Sequence, residues 1–118
     1  MSASHYKLDN LCVIVDNNNL QIDGEISKVM SPYPIDDKFR SFGFETICAN
    51  GHEFKEIIRT FELARKTKGK PTAIIAKTIK GKGVSFMENK ASWHGKAPNE
   101  EEYLQALNDL RGGACNGQ

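Results

Sequence analysis

The chain has 118 residues, of which 39% are hydrophobic and 26% are charged, as is usual for a globular protein. Its 16 Lys and Arg residues nearly balance its 15 Asp and Glu residues, which excludes the strong net charge that favours nucleic acid or an acidic membrane as a partner. This length predicts one domain or a piece of one.

Short apolar runs alternate with helical patterns along the chain. The predicted strands are Leu11 to Val15, which we expect to be buried, Phe44 to Ala49, and Thr72 to Thr78. The predicted helices are a short one carrying Ile35, Phe39 and Phe42 that ends at a left-handed Gly43, an amphipathic one from Glu53 to Lys66, and one that follows Asn99. This alternation predicts an α/β fold whose parallel sheet binds ligands beyond the carboxyl ends of its strands.

The two longer predicted helices each have an apolar face. The face of the first carries Phe54, Ile57, Ile58, Phe61 and Ala64. The second has Asn99 as its N-cap, and its apolar face carries Tyr103, Leu104, Leu107 and Leu110. We expect residues 112–118, GGACNGQ, to form a flexible tail.

Location and thiol state are predicted from simple sequence patterns. No apolar run approaches the roughly 20 residues of a membrane span, and the N-terminal MSASHYKLDN lacks the apolar stretch of a signal peptide. We therefore expect a cytoplasmic protein. Cys12, Cys48 and Cys115 have neither a CxxC nor a zinc-site spacing, so we expect reduced thiols.

The first polar segment after a predicted strand is DNNNLQIDG, Asp16 to Gly24. Its hard oxygen donors suit Mg²⁺ or Ca²⁺ better than a soft metal. The alternative is an Asx-rich turn, in which the side chains bind their own backbone.

Two further segments carry groups that suit an anionic ligand. In KTIKGKGVS, Lys77 to Ser85, Lys80 and Lys82 could bind phosphate while Gly81 and Gly83 let the backbone approach a ligand; a solvated turn is the alternative. In SWHGK, Ser92 to Lys96, His94 could donate a proton or bind an anion, or it could simply pack or cap.

Together and in this order, DNNNLQIDG, AKTIKGKG and SWHGK resemble the transketolase family, and the resemblance covers about His5 to Leu110. It implies an incomplete, three-layer, parallel-sheet fold that binds thiamine diphosphate, with residues 1–111 as the second half of a domain. It also implies transfer of a two-carbon ketol unit between sugar phosphates, as in the pentose phosphate pathway, with thiamine diphosphate and Mg²⁺ or Ca²⁺ as cofactors.

The resemblance implies a role for five residues. Asn18 would give a side-chain oxygen to the metal, Leu20 would give its backbone carbonyl, and Ile22 would lie against the thiazolium ring. Lys80 would lie near the diphosphate. His94 would face the diphosphate and the donor substrate's hydroxyl groups, where it would stabilise charge and transfer protons. These roles require the two strand-end loops to converge.

Parts of the family's site have no counterpart in this sequence: the Gly-Asp-Gly segment with its metal-binding Asp, the upstream histidines, and the pyrimidine-binding domain with its activating Glu. We therefore expect little activity from the chain alone, and a homo- or hetero-oligomer with a transketolase C-terminal (pyrimidine-binding) section or subunit. The strand at Leu11 to Val15 would be left as an exposed edge that favours self-association.

Three alternatives stay open. A 1-deoxyxylulose-5-phosphate synthase shares the architecture and cofactor, although SWHGK before an Asn-capped acidic helix is more typical of transketolase. A non-catalytic remnant of the same fold, retained as a binding module, would show no turnover. A flavodoxin-like or dinucleotide-binding domain is disfavoured because no GxGxxG follows a strand.

Overall fold

The structure, a computed structural model, describes residues 1–114. The strands are β1 (Cys12–Asn17), β2 (Leu20–Gln21), β3 (Gly24–Glu25), β4 (Glu45–Asn50) and β5 (Thr72–Lys77). The helices are α1 (Ser2–His5), α2 (Ile26–Val29), α3 (Ile35–Ser41), α4 (Phe54–Lys66) and α5 (Glu100–Ala114), with a 3₁₀ turn at Ala91–Trp93. The chain forms two compact units: Met1–Asn17 with Ser31–Thr78, and Asn18–Met30 with the chain from Ile79 onward.

The first unit contains a parallel sheet with the strand order β1-β5-β4. In the central strand β5, Ile74 lies opposite Ile14 on one side and Ile47 on the other. The first four residues of β5 are buried, as expected for a strand whose two faces are both covered. The predicted α/β fold with a parallel sheet is therefore confirmed.

Strand β1 lies at the edge of this sheet, because it pairs only with β5 among the described strands. Alternate residues of β1 are exposed, and Ile14 is 54% exposed. The strand at Leu11 to Val15 is present, but the prediction that it is buried is wrong. Within the described part of the chain, one side of β1 has no neighbouring strand. The strand also continues through Asp16 and Asn17, where the sequence pattern predicts a loop.

Helices α3 and α4 connect the strands of the sheet, and both contact β4. The chain crosses the sheet in one direction from β1 to β4 and returns in the other from β4 to β5. Because such crossovers are right-handed, the two helices lie on opposite faces of the sheet. This arrangement gives the predicted three layers. Gly43 follows α3 with a φ of 83°, which confirms the left-handed helix end.

Helix α4 packs on the sheet through a narrower face than its sequence predicts. Thr60 and Ala64 are buried and Ile57 is half-buried. In contrast, the predicted core residues Phe54 and Ile58 are 81% and 59% exposed. Among the strands of the sheet, α4 contacts mainly β4, so the side chains on the rest of its apolar face stay exposed.

The second unit begins with a short antiparallel hairpin. Strand β2 pairs with β3, with Leu20 opposite Glu25 and Gln21 opposite Gly24. Asn19 enters the hairpin with a φ of 62°, a left-handed conformation that asparagine tolerates better than most residues. The segment predicted as a polar loop therefore has regular structure of its own.

Helix α5 begins at the predicted cap. The Asn99 side-chain oxygen accepts the Glu102 backbone N–H at 2.9 Å, and Glu102 in turn accepts the Asn99 N–H at 2.9 Å. This reciprocal capping box confirms Asn99 as the N-cap. The predicted apolar face is only partly covered, because Leu104 and Leu110 are 58% and 52% exposed while Leu107 is half-buried.

The remaining predictions concern the tail, the cysteines and membrane insertion. The predicted tail starts inside α5, which includes residues 112–114, while residues 115–118 with Cys115 lie outside the described part of the chain. Cys12 and Cys48 are free thiols, as predicted. Over residues 1–114, no helix combines the length and apolar character required to cross a membrane.

Candidate functional site

A cleft of about 330 Å³ in the second unit brings together two separate segments of the chain. Its walls are formed by Asn18, Leu20, Gln21, Ile22, Asp23, Lys80 and His94. The first five residues come from the segment after β1, and the last two come from the segment after β5. The two loops therefore converge, as predicted, and all five residues with a predicted role line the same cleft.

Asn18 is held by a turn of its own backbone. Its Oδ1 accepts the backbone N–H of Leu20 at 2.9 Å, which is the Asx turn considered as the alternative to a metal site. A side-chain carbonyl has two lone pairs, so this hydrogen bond leaves one acceptor position. The turn thus fixes the orientation of the Asn18 side chain, a residue of the cleft wall, and leaves its oxygen one acceptor position.

The donor atoms of the cleft suit a hard divalent cation. The Asn18 side chain and the Leu20 carbonyl are neutral oxygen donors, the type that Mg²⁺ and Ca²⁺ accept. Within residues 1–114, no three His, Cys, Asp or Glu side chains are grouped so that they could hold a metal. These cations take roughly six to eight oxygens, so a metal here would need ligands from its cofactor, water or other polypeptide.

Lys80 is the cationic side chain on the cleft wall. It is half-buried and forms no salt bridge with the residues that the structure describes. The second lysine of the predicted phosphate segment, Lys82, instead pairs with Glu88 at 3.4 Å. An anionic ligand in this cleft would therefore meet Lys80.

The glycines of the same segment serve the chain's own packing. A Cβ on Gly81 would lie 2.7 to 2.8 Å from Met87, and the φ of 70° also favours glycine. A Cβ on Gly83 would lie 3.1 Å from the Leu110 side chain. Met87 therefore fills the space where a Gly81 side chain would begin, and the approach of a ligand to the backbone of Gly81 and Gly83 stays a prediction.

His94 follows the 3₁₀ turn Ala91–Trp93, and its exposed side chain lines the cleft. The neighbouring Trp93 is anchored, because its indole N–H donates to the Phe86 carbonyl at 3.2 Å and the two rings lie 5.4 Å apart. The Lys96 ammonium lies 4.2 Å from the centre of the Trp93 ring. Trp93 therefore holds the segment in place and leaves His94 directed at the cleft.

Helix α5 fixes the other end of this segment. Lys96 forms a salt bridge with Glu102 in the first turn of α5. The Lys96 ammonium and then the Asn99 N–H hold the pKa of the Glu102 carboxyl below its ordinary value. The residues on both sides of His94 are thus tied to defined partners.

Two further residues line the cleft, and neither has a role predicted from the sequence. Gln21 is half-buried, and its Nε2 has no hydrogen-bond partner among the described residues. Asp23 is exposed and makes no ion pair with residues 1–114. Both lie inside DNNNLQIDG, but only the hairpin of β2 and β3 shows that they reach the same cleft as Lys80.

Comparison with known proteins gives a family match over most of the chain. Residues 1–112 match the family model of the transketolase thiamine diphosphate binding domain. The chain is 44% identical over 110 residues to a subunit of the apulose-4-phosphate transketolase from Phocaeicola vulgatus, which covers 93% of this chain and 39% of that relative. It is 38% identical over 110 residues to the 6-deoxy-6-sulfo-D-fructose transketolase subunit SqwG from a Clostridium species. That alignment covers 93% of this chain and 40% of the relative. The chain therefore spans less than half the length of these relatives.

Solved structures show the same fold. A transketolase from Campylobacter jejuni is 34% identical with a TM-score of 0.86, over 93% of this chain and 17% of that one. A transketolase from Pichia stipitis is 22% identical with a TM-score of 0.84, over 93% of this chain and 16% of that one. The family match over residues 1–112 shows that the chain belongs to the transketolase family, within its thiamine-diphosphate-binding domain.

Proposed function

We propose that this chain supplies part of the thiamine-diphosphate and metal site of a transketolase that moves a two-carbon ketol unit between sugar phosphates. One observation carries the proposal: a single cleft of about 330 Å³ is lined by Asn18, Leu20, Ile22, Lys80 and His94, which come from two segments. The five residues combine oxygen donors, an apolar surface, a cation and an imidazole. This set matches what a metal-bound diphosphate cofactor requires.

Asn18 and Leu20 would bind the divalent metal, Mg²⁺ or Ca²⁺. The Asx turn supports this role, because it holds Asn18 Oδ1 in one orientation and leaves a lone pair available. The Leu20 backbone carbonyl would be the second protein ligand. Both donors are neutral, so the negative charge that balances the metal would come from the diphosphate and from segments outside this chain.

Lys80 and Ile22 would bind the two ends of the cofactor. The Lys80 ammonium would neutralise the diphosphate, and its lack of a salt bridge within the described residues supports this role. Ile22 is 67% exposed on the same cleft and would give the thiazolium ring an apolar contact. When bound, thiamine diphosphate supplies the carbon nucleophile that adds to a ketose carbonyl.

His94 would act on the sugar. Its side chain is exposed to the cleft, and its neighbours Trp93 and Lys96 are held in place. The imidazole could then hydrogen-bond a donor hydroxyl and move a proton at that oxygen. We therefore assign His94 a catalytic role and a place beside the diphosphate.

The complete enzyme would include further polypeptide. Relatives of this chain are named as subunits of an apulose-4-phosphate transketolase and a 6-deoxy-6-sulfo-D-fructose transketolase, and the chain spans 39% and 40% of them. We propose that a transketolase C-terminal (pyrimidine-binding) section or subunit is the partner and that this chain alone is inactive. The cytoplasmic location and a role in the pentose phosphate pathway stay predictions from the sequence.

The test is reconstitution of ketol transfer. The chain would be combined with the complementary family segments, a transketolase C-terminal subunit, thiamine diphosphate and Mg²⁺, and assayed with a ketose phosphate donor. We expect turnover that His94→Ala lowers by roughly 100-fold or more, because a general acid or base contributes this much. His5→Ala, which changes an exposed histidine in α1, is the matched control and should leave the rate unchanged.

Two results would contradict the proposal. Turnover of pyruvate instead of a ketose donor would favour a 1-deoxyxylulose-5-phosphate synthase. No turnover with any donor, although the reconstituted complex assembles, would favour a non-catalytic remnant that survives as a binding module.

A further inference from the structure

Gln21 places an amide group without a partner in the wall of the cleft. Its Nε2 is closed off from solvent and has no hydrogen-bond partner among residues 1–114. Leaving a buried amide unpaired is unfavourable, and most buried polar groups in folded proteins have a hydrogen-bond partner. The chain without ligand therefore carries an unfavourable group at its proposed binding site.

The surroundings of Gln21 leave the side chain room to move. Gln21 lies directly opposite Gly24 in the hairpin, and the space where a Gly24 side chain would begin has no atom within 4 Å. Directly opposed residues in an antiparallel pair project to the same face, so this open space adjoins the Gln21 side chain. A glutamine can turn about its side-chain torsions between staggered rotamers, so the amide can reach the cleft without a backbone change.

The cleft also indicates what the amide would meet. Lys80 supplies the positive charge there, and Asn18 supplies a neutral oxygen donor. A ligand held by these two groups brings anionic oxygens, which accept strong hydrogen bonds from an amide N–H. The phosphate oxygens of a diphosphate are such acceptors.

We propose that Gln21 is a binding residue that turns into the cleft and donates its amide N–H to a phosphate oxygen of the bound diphosphate. This inference rests on the proposed function and deepens it, since it adds a neutral donor to the contact made by Lys80. It also gives a hydrogen-bond partner to an amide that has none among the described residues.

The first measurement is the stability of the chain without cofactor. Gln21→Leu replaces the amide with an apolar group of similar size, so urea unfolding should show unchanged or higher stability. Gln105→Leu is the matched control, because Gln105 is exposed on α5. A clear loss of stability with Gln21→Leu alone would show that the amide has a structural role, and this would overturn the inference.

The second measurement is ligand affinity in the reconstituted enzyme with Mg²⁺. Gln21→Leu should weaken binding of thiamine diphosphate and of inorganic pyrophosphate by roughly tenfold, since a hydrogen bond to a charged group is lost. Binding of thiamine, which has no phosphate, should not change. Gln21→Glu should weaken the two phosphate ligands further, because it replaces the donor with a negative charge.

The outcomes separate this inference from the proposed function. If the wild-type enzyme binds neither thiamine diphosphate nor pyrophosphate, the proposed function and the role of Gln21 both fail. If the wild type binds them and Gln21→Leu and Gln21→Glu bind equally well, only the role of Gln21 fails. If Gln21→Leu does not fold while Gln105→Leu does, the amide has a structural role and the inference fails on the stability measurement alone.

Discussion

One oxygen atom of Asn18 serves both the local fold and the proposed metal site. Its Oδ1 closes the Asx turn to Leu20 at 2.9 Å, and Asn18 lines the same cleft as Lys80. An alanine at this position would lose the Asx turn and the proposed metal ligand together. An aspartate keeps an acceptor at the same place.

We therefore expect Asn18→Ala to weaken Mg²⁺-dependent binding of thiamine diphosphate by roughly 10- to 100-fold, as measured by titration calorimetry of the reconstituted enzyme. Asn18→Asp should retain most of the affinity. The control is Asn108→Ala, which removes an exposed asparagine from α5. Equal affinities for the wild type and Asn18→Ala would remove Asn18 from the metal site.

Helix α5 is held at its start by a capping box and along its length by the loop after β5. The cap consists of two hydrogen bonds of 2.9 Å between Asn99 and Glu102. We expect Asn99→Ala to destabilise the folded chain by about 1 kcal/mol, as measured by urea unfolding. Asn108→Ala, inside the same helix, should instead be neutral or slightly stabilising. A neutral Asn99→Ala would show that the cap contributes little.

The contact between Ser85 and Asp109 adds a pH dependence to this helix. The Asp109 carboxylate accepts the Ser85 hydroxyl at 2.7 Å and the Ser85 N–H at 2.9 Å. These bonds hold the pKa of Asp109 below its ordinary value of 3.8. Because the pKa is lowered on folding, the stabilisation is complete above that ordinary value and is lost as the pH falls through the folded pKa.

Asp109→Asn should therefore be less stable than the wild type at neutral pH, and the difference should shrink below about pH 4. Urea unfolding of both proteins at several pH values between about 7 and 3 measures this difference in stability. Glu62→Gln, at an exposed carboxylate of α4 in the first unit, is the control and should show no such pH dependence. A difference that stays constant with pH would contradict the assignment of the effect to this carboxylate.

At the scale of the whole molecule, the dominant feature is the uncovered surface of the first unit. Two clefts of about 510 and 250 Å³ lie along β1 and α4, and neither contains a residue with a predicted site role. Ile14 of the edge strand and Phe61 of α4 both border the smaller one, 54% and 43% exposed. An open strand edge beside apolar surface favours association with other chains.

The isolated chain should therefore self-associate, and Ile14→Lys should reduce this by placing a charge on the edge strand. Light scattering coupled to gel filtration measures the change in mass. Gln105→Lys adds the same charge to an exposed site on α5 and should leave self-association unchanged. A monomeric wild type would contradict the prediction.

The sequence alone determined the features that depend on local patterns. The continuous apolar run of β5, the left-handed Gly43 and the cap at Asn99 are readable because each follows from neighbouring residues. The three ordered motifs also indicated the family and the segments that converge. These motifs contain the five residues with a predicted role.

Only the tertiary structure decided which surfaces are covered and which atoms already have partners. The spacing of apolar residues in α4 predicts that Phe54 is buried, but its side chain is exposed. Its burial depends on which other elements the helix packs against. Lys80 and Lys82 differ in ion pairing, because Glu88 forms a salt bridge with Lys82 and Lys80 has none among the described residues. Gln21 lies in the β2–β3 hairpin, which forms one wall of the cleft. The other wall comes from Lys80 and His94, far along the chain. Such contacts link residues distant in sequence, so no local pattern encodes them.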